Sequence, residues 1–284
     1  MPNIKDWQAD EKLKILLIGP YKSGKTWGAL TFPRPNVIDF DHGISVGRNP
    51  EFIKKYGLRN IEYEQFKEKS VDARGVAKTH NAFDDACKYF DKWMSPANRD
   101  NFDTWIIDSG TTMSEAAATK AMILLGGSTF GKPLSQTHAQ AIASGLVIPK
   151  IQDYGAERSM VEQFVDMVKD TDKHVVFICH EAQRINDEGI VTEILPMLTG
   201  KSAQAIPLKF DEVWMLKIQK KGTEYVRTLQ TKADSIRRCG SRTGLPDGTS
   251  WEWDAIQAEL TKLRQQALLA NTPASATTTP MENK

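Results

Sequence analysis

A short run near the start of the chain has the residues needed to hold phosphate groups. Residues 19–26 read GPYKSGKT and match the pattern G-x-x-x-x-G-K-[ST]. The glycines let backbone N–H groups turn toward a phosphate, Lys25 would reach the β- and γ-phosphates, and the Thr26 hydroxyl would bind Mg²⁺. We call residues 19–26 the P-loop and expect ATP or GTP with Mg²⁺ there. The expected nucleotide contacts are Gly19, Pro20, Tyr21, Lys22, Ser23, Gly24, Lys25, Thr26 and Trp27.

The sequence around the P-loop fits the structural context that such a loop requires. Residues 14–18, KILLI, predict a strand, and a helix is expected to begin near Lys25. The positive end of that helix would strengthen phosphate binding. Trp27 lies in its first turn, where a large aromatic residue is more often part of the core than a stacking partner for a base.

The rest of the chain alternates between predicted strands and predicted helices. Further strands are expected at residues 36–40, 104–108, 174–180, 211–218 and 225–231. Helical spacing covers residues 82–94, 112–125, 157–169 and 253–269. This order predicts an α/β fold, with a mostly parallel sheet covered by helices on both faces. The Gly-containing link at residues 220–224 predicts that the last two strands form an antiparallel edge hairpin.

Two internal segments and the end of the chain lack a regular period. Residues 126–136 and 182–204 are predicted to be loops because they are rich in turn-forming residues. We expect one domain over residues 1–269. Residues 270–284 are small, polar and Pro-containing, so we expect a disordered tail.

Asp108 is a second candidate for nucleotide chemistry. It ends the apolar run TWII and is followed by Ser109. A carboxylate at the tip of a buried strand beside the P-loop would hold the Mg²⁺ through water. The alternative is that Asp108 and Ser109 cap the helix that follows, since both residue types favour that position. The order of the motifs along the chain favours the magnesium role.

Overall composition limits the classes of function. The 284 residues carry a net charge of +1, so global electrostatics give no argument for nucleic-acid binding. No apolar run could span a bilayer, and the first residues do not resemble a leader, so we expect a cytoplasmic protein without membrane contact. The three cysteines are widely separated and suggest neither a zinc site nor disulfides. Residues 217–242 are strongly basic, which fits either a solvated face or a phosphate-binding surface.

The segment NVIDFDHGIS, residues 36–45, resembles the strand and turn of RecA-like recombinases. The resemblance implies that Asp41 activates the attacking water. The family usually has Glu here, and Asp is one methylene shorter, so Glu181 is kept as a second candidate for this role. Asp41 could also be a turn carboxylate without a catalytic part.

The predicted strand HVVFICH ends at His180. In RecA-like proteins, a polar residue at this strand tip senses the γ-phosphate and signals to a loop that contacts single-stranded DNA. The resemblance implies this sensor role for His180. A satisfied structural histidine is the alternative.

Residues 195–216, LPMLTGKSAQAIPLKFDEVWML, resemble a group of phage RecA-like single-strand annealing ATPases. The shared features are the Gly200-Lys201 turn and the strand beginning with Phe210 and Asp211. The resemblance spans about residues 12–260. If the protein is phage-encoded, it would act in the host cytoplasm.

Residues 241–246, SRTGLP, resemble the place where RecA-like ATPases often carry a Lys-x-Arg that reaches a neighbouring subunit's nucleotide. Arg242 would be the arginine finger, although Gly240 takes the position of the lysine. Arg242 could instead be an ordinary surface residue. Other basic candidates in the same stretch are Lys232, Arg237 and Arg238.

Together, these resemblances imply an ATPase whose hydrolysis is stimulated by single-stranded DNA, and which promotes strand annealing or homologous recombination. The implied partners are single-stranded DNA, further copies of the chain in a filament or ring, and a single-strand-binding protein. Basic residues available for DNA phosphates are Arg158, Lys169, Arg184 and Lys201. Two alternatives stay open: a P-loop kinase for a small molecule or nucleotide, and a non-hydrolysing ATP switch or helicase loader.

Overall fold

The structure, a computed structural model, describes residues 12–67, 82–128, 151–222 and 224–270. Nine strands are found in these ranges. They are β1 (Lys14–Gly19), β2 (Pro35–Asp39), β3 (Glu62–Gln65), β4 (Thr104–Asp108), β5 (His174–Ile185), β6 (Val191–Pro196), β7 (Glu212–Lys221), β8 (Glu224–Gln230) and β9 (Gly240–Ser241). The predicted tail at residues 270–284 lies outside the described residues, except for Ala270.

Seven α-helices accompany the strands in the described ranges. They are α1 (Lys25–Ala29), α2 (Pro50–Tyr56), α3 (Ala82–Met94), α4 (Gly110–Ser128), α5 (Ile151–Lys169), α6 (Ser202–Ala205) and α7 (Trp253–Ala270). Short 3₁₀ helices cover Gly43–Arg48, Arg99–Asn101 and Ile206–Lys209. None of the helices in this part of the chain combines the length and apolarity that crossing a bilayer needs.

The strands form one sheet in the order β3-β2-β4-β5-β1-β7-β8. All neighbours from β3 to β7 are parallel. The P-loop strand β1 lies between β5 and β7, and β5 lies between β1 and β4. The carboxyl ends of β1, β4 and β5 therefore lie side by side at one edge of the sheet, which we call the carboxyl edge.

A hydrophobic core lies on each face of the sheet. One core packs β-strand side chains such as Trp105 and Phe177 against α3, α4 and α5. The other packs Ile15 and Trp214 against α1, α2 and α7. Burial on both faces explains why β1, β2 and β4 are apolar runs without alternation. The predicted mostly parallel sheet with helices on both faces is confirmed.

The predicted antiparallel hairpin at the end of the sheet is also confirmed. Strands β7 and β8 pair from Met215 with Gln230 out to Lys221 with Glu224. Only the first part of β7, residues 212–215, pairs with β1. The outer part of the hairpin thus extends past the P-loop.

The prediction of a loop at residues 182–204 is wrong. Strand β5 continues to Ile185, turns at residues 186–190 and returns as β6. The side chain of Asn186 stabilises the turn by accepting hydrogen bonds from the backbone N–H of Glu188 and Ile190. Most residues near the turn are exposed, so no buried face imposes an alternating pattern on the sequence.

The other predicted loop, at residues 126–136, is wrong at its beginning. Residues 126–128 form the end of α4. The remaining residues of that prediction lie outside the described residues.

Candidate nucleotide-binding site

The P-loop connects the end of β1 to the start of α1 at the carboxyl edge. Gly24 has φ 90°, a left-handed conformation that favours glycine. A Cβ atom on Gly19 would lie 3.0 Å from Cβ of Leu216 on β7, so the neighbouring strand packs tightly behind the loop. Both glycines are therefore required by the local geometry.

The side chain of Lys25 folds back into the P-loop. Its Nζ donates to the carbonyl oxygens of Gly19 at 2.9 Å and Pro20 at 2.7 Å. Nζ is also 3.3 Å from Nδ1 of His180. Burial lowers the pKa of Lys25, and the charges of nearby carboxylates such as Asp108 oppose this shift. Phosphate oxygens could replace the loop carbonyls as partners for this ammonium group.

Thr26 and Asp108 meet directly, as the magnesium prediction requires. Thr26 Oγ1 donates to Asp108 Oδ2 at 2.6 Å. Asp108 is 3% exposed, and burial, together with the charges of Asp41 and Asp39, raises its pKa to about 7. A hydroxyl and a carboxylate side by side are suitable oxygen ligands for Mg²⁺.

Two observations fit a bound Mg²⁺–nucleotide at this position. Ser23 Oγ is buried without a hydrogen-bond partner among the described residues. A Cβ atom on Gly43 would lie 2.9 Å from Asp108 Oδ2 and 3.2 Å from Thr26 Oγ1, so only glycine leaves this space open. In the described residues, no group of three or more His, Cys, Asp or Glu side chains could hold a metal alone. Mg²⁺ would therefore share Thr26 and Asp108 with phosphate oxygens.

Asp41 is held by two side chains from different elements. His180 Nε2 lies 3.1 Å from its Oδ2, and Thr112 at the start of α4 donates to its Oδ1. Burial alone would raise the pKa of Asp41, but hydrogen bonds from His180, Thr112 and Ser109 outweigh it and lower the pKa. Asp41 is therefore ionised at neutral pH and is a weak base.

His180 lies between Lys25 of the P-loop and Asp41. Its Nδ1 faces Lys25 and its Nε2 faces Asp41, while its backbone N–H donates to Thr111 Oγ1 at 3.0 Å. The position of β5 between β1 and β4 produces this arrangement. The result is a continuous line of contacts from the P-loop through His180 to Asp41 and the start of α4.

The comparison with known families agrees with this geometry. A family model described as an AAA domain, AAA_24, matches residues 11–242. The chain belongs to this AAA domain family. The match and the P-loop geometry support the predicted P-loop ATPase core.

Other comparisons add little to this assignment. A search of curated proteins with this sequence found no match. Among solved structures, it is similar to a KaiC-like protein from the hyperthermophilic archaeon Pyrococcus horikoshii OT3, with 13% identity, 78% of each chain covered and a TM-score of 0.37. Likeness at this level supports no conclusion about activity.

The aromatic residues of the AAA domain's P-loop region have different surroundings. Trp27 packs edge-on against Phe52 and Tyr56 of α2, and the guanidinium of Arg227 lies 5.7 Å from the centre of its ring. Trp27 is thus partly core, with one face covered by a cation. Tyr21 is 74% exposed, with its ring 5.9 Å from that of His180.

Two further predicted site residues, Glu181 and Arg242, form no hydrogen bond with this cluster among the described contacts, although the charge of Glu181 acts on Lys25. Glu181 follows His180 and pairs with Pro196 across the β5–β6 hairpin, and its role as water activator stays a prediction. Arg242 forms an ion pair with Asp211 next to the start of β7. The start of a parallel strand is opposite the carboxyl edge, so Arg242 is distant from its own P-loop. The predicted action on a neighbouring subunit's nucleotide is not tested by this placement.

Reasoning from the sequence missed several residues that shape the site. Asp39 is fully buried and accepts hydrogen bonds from the backbone N–H of Gly43 and Ile44, which fixes the turn carrying Asp41. Trp251 donates from Nε1 to the carbonyl oxygen of Lys25 at 2.9 Å. Such contacts join distant parts of the sequence, and no local pattern indicates them.

Proposed function

We propose that this AAA domain binds and hydrolyses ATP with Mg²⁺, that single-stranded DNA stimulates the hydrolysis, and that the activity serves strand annealing or homologous recombination. Copies of the chain would assemble into a filament or ring. The observation that carries the proposal is the position of His180. It contacts Lys25 and Asp41 and lies on the strand that continues into the exposed β5–β6 hairpin.

Each residue of the cluster has a defined part in this proposal. The P-loop N–H groups and Lys25 would hold the phosphates, and Thr26 and Asp108 would hold Mg²⁺. Bound Mg²⁺ would neutralise charge that develops on the β- and γ-phosphate oxygens. Asp41 would orient the attacking water rather than remove its proton, because its lowered pKa makes it a weak base.

The β5–β6 hairpin is the proposed route to DNA. Its residues beyond Glu181 leave the main sheet, so a displacement of His180 would move the hairpin directly. Arg184 on β5 and Arg238 both form ion pairs with Glu193 on β6, while Glu181, Asp187 and Glu188 make the hairpin itself acidic overall. Contact with the backbone phosphates of single-stranded DNA would therefore use individual arginines such as Arg184 and Arg238 and not a basic surface of the hairpin.

The test is ATP hydrolysis by the purified protein with and without poly-dT, at low and moderate salt. We expect poly-dT to stimulate turnover, and less so at higher salt because DNA binding depends on phosphate charge. Lys25→Ala should abolish turnover in both conditions. Lys54→Ala, which removes an exposed lysine from α2, is the charge-matched control and should behave as wild type. An ATP hydrolysis rate that is the same with and without poly-dT would contradict the proposed role of DNA.

A second candidate function is a switch that binds ATP and assembles without rapid turnover. It is favoured by the hydrogen bonding of Asp41, since both carboxylate oxygens are already engaged by His180 and Thr112. In that case MgATP would change the sedimentation of the protein while phosphate release stays at background. Turnover that instead requires a small acceptor would favour a kinase.

A further inference from the structure

Arg227 on β8 lies against the outside of the P-loop. Its Nε donates to the carbonyl oxygen of Ser23 at 3.0 Å. A Cβ atom on Gly24 would lie 2.2 Å from that Nε and 3.0 Å from Cζ. The guanidinium therefore occupies the space beside the residue at which the phosphate-binding loop becomes a helix.

The register of the β7–β8 hairpin places Arg227 there. Arg227 pairs with Ile218 and Leu229 pairs with Leu216, so these side chains share one face of the hairpin. Leu216 packs behind Gly19, which identifies this face as the one against the P-loop. Lys217 pairs with Thr228 and projects from the opposite face.

Within the described ranges, no carboxylate forms an ion pair with Arg227. Arg34, Arg184 and Arg242 each form an ion pair, but no ion pair among the described residues includes Arg227. Its contacts are the neutral carbonyl of Ser23 and the ring of Trp27. The side chain is half-buried. A partly desolvated cation needs a counter-charge, and a phosphate group held by the P-loop would supply one.

We propose that Arg227 is a phosphate-binding residue of the same subunit, which supplies a second positive charge, beside Lys25, to the phosphate chain of a nucleoside di- or triphosphate. The terminal amino groups of the guanidinium make the contact while Nε stays on Ser23. This inference rests on the nucleotide-binding part of the proposed function but is independent of DNA and of hydrolysis.

The experiment measures MgADP affinity by calorimetry, without DNA, for two substitutions. Arg227→Lys keeps the charge, and Arg227→Gln keeps a donor for Ser23 but no charge. We expect Arg227→Gln to weaken binding about tenfold or more, the usual effect of losing a charge-assisted hydrogen bond. Arg227→Lys should lose less affinity than Arg227→Gln, because a charge contact persists although the contacts with Ser23 and Trp27 are lost.

The control is Lys217→Gln, which removes a charge from the opposite face of the same hairpin and should leave affinity unchanged. Thermal unfolding without nucleotide checks that each variant folds, and Arg227→Met replaces the Gln variant if it does not. Equal affinity of the Lys and neutral variants, whether high or low, would overturn the inference, since Arg227 would then only support the loop or do nothing. If wild type binds MgADP but DNA fails to stimulate turnover, only the proposed function is contradicted.

Discussion

At the scale of single residues, carboxylates at the carboxyl edge differ in their ionisation. Hydrogen bonds hold the pKa of Asp41 below its ordinary value, whereas burial raises that of Asp108 to about 7. Asp108 thus carries a charge that the protein alone stabilises poorly. A divalent cation would supply the missing stabilisation, which is the property expected of a magnesium ligand.

We predict that Asp108→Asn makes the nucleotide-free protein more stable while abolishing ATP turnover. A carboxyl whose folded-state pKa is raised binds its proton more tightly when folded, so wild-type stability falls as pH rises between about 4 and 7. Asn cannot ionise and avoids this loss. The gain at pH 8 should be about 1–4 kcal/mol, since each pKa unit corresponds to about 1.4 kcal/mol.

Chemical unfolding at pH 5 and pH 8 measures this effect. The advantage of Asp108→Asn should be larger at pH 8. Asp41→Asn is the contrasting variant and should destabilise, because it loses charge-assisted hydrogen bonds. If Asp108→Asn is less stable than wild type at pH 8, the ionised side chain of Asp108 does not destabilise the folded protein.

At the scale of elements, α1 depends on the residues that precede α7. A helix of five residues is too short to be stable alone. Trp251 supports it by donating to the carbonyl of Lys25 and by packing on Gly28, where a Cβ atom would lie 2.2 Å from the indole ring. The helix that carries Lys25 and Thr26 is therefore fixed by tertiary contacts.

We predict that Gly28→Ala destabilises the protein by about 1–3 kcal/mol, the usual cost of overpacking a core, and weakens nucleotide binding. Gly155→Ala is the matched control. Gly155 lies in α5, and a Cβ atom there would meet nothing within 4 Å. Removing a helical glycine should stabilise by about 0.5–1 kcal/mol. Thermal unfolding compares Gly28→Ala with Gly155→Ala. Equal stability of the two variants would contradict the close packing of Gly28 against Trp251.

The sequence predicted most elements that have a buried face, although α2, which buries Phe52, was missed. Apolar runs predicted β1, β4 and the inner part of β7 because both faces of the sheet are covered there. Strand β3 and the β5–β6 hairpin are mostly exposed, so their sequences carry no apolar period. In the site, the P-loop and Asp108 were predictable from local motifs. Arg227 was not, because its contact with Ser23 depends on strand register.

At the scale of the whole molecule, the two predicted halves of a catalytic site lie on opposite edges of the sheet. The P-loop is at the carboxyl edge, and Arg242 is next to the start of β7, paired with Asp211. Subunits that stack head to tail would bring one edge against the other, and a repeated contact of this kind produces rings or filaments.

We predict that Arg242→Ala abolishes DNA-stimulated turnover and that mixing it with Lys25→Ala restores part of it. In mixed assemblies, an intact P-loop on one subunit can face an intact Arg242 on its neighbour. Turnover measured against mixing ratio should peak near equal amounts. Lys209→Ala, at a lysine paired with Asp166 on α5, is the control and should remain active alone. No recovery on mixing would contradict action between subunits.

The contacts of Trp251 and Arg227 also affect the order in which the site forms during synthesis. The P-loop is synthesised before these supports, because Arg227 follows Ser23 by 204 positions and Trp251 follows Lys25 by 226 positions. A nascent chain therefore carries the phosphate-binding motif long before it carries the residues that hold it in shape. We therefore expect nucleotide to add stability only late in folding, once β8 and Trp251 have joined the P-loop.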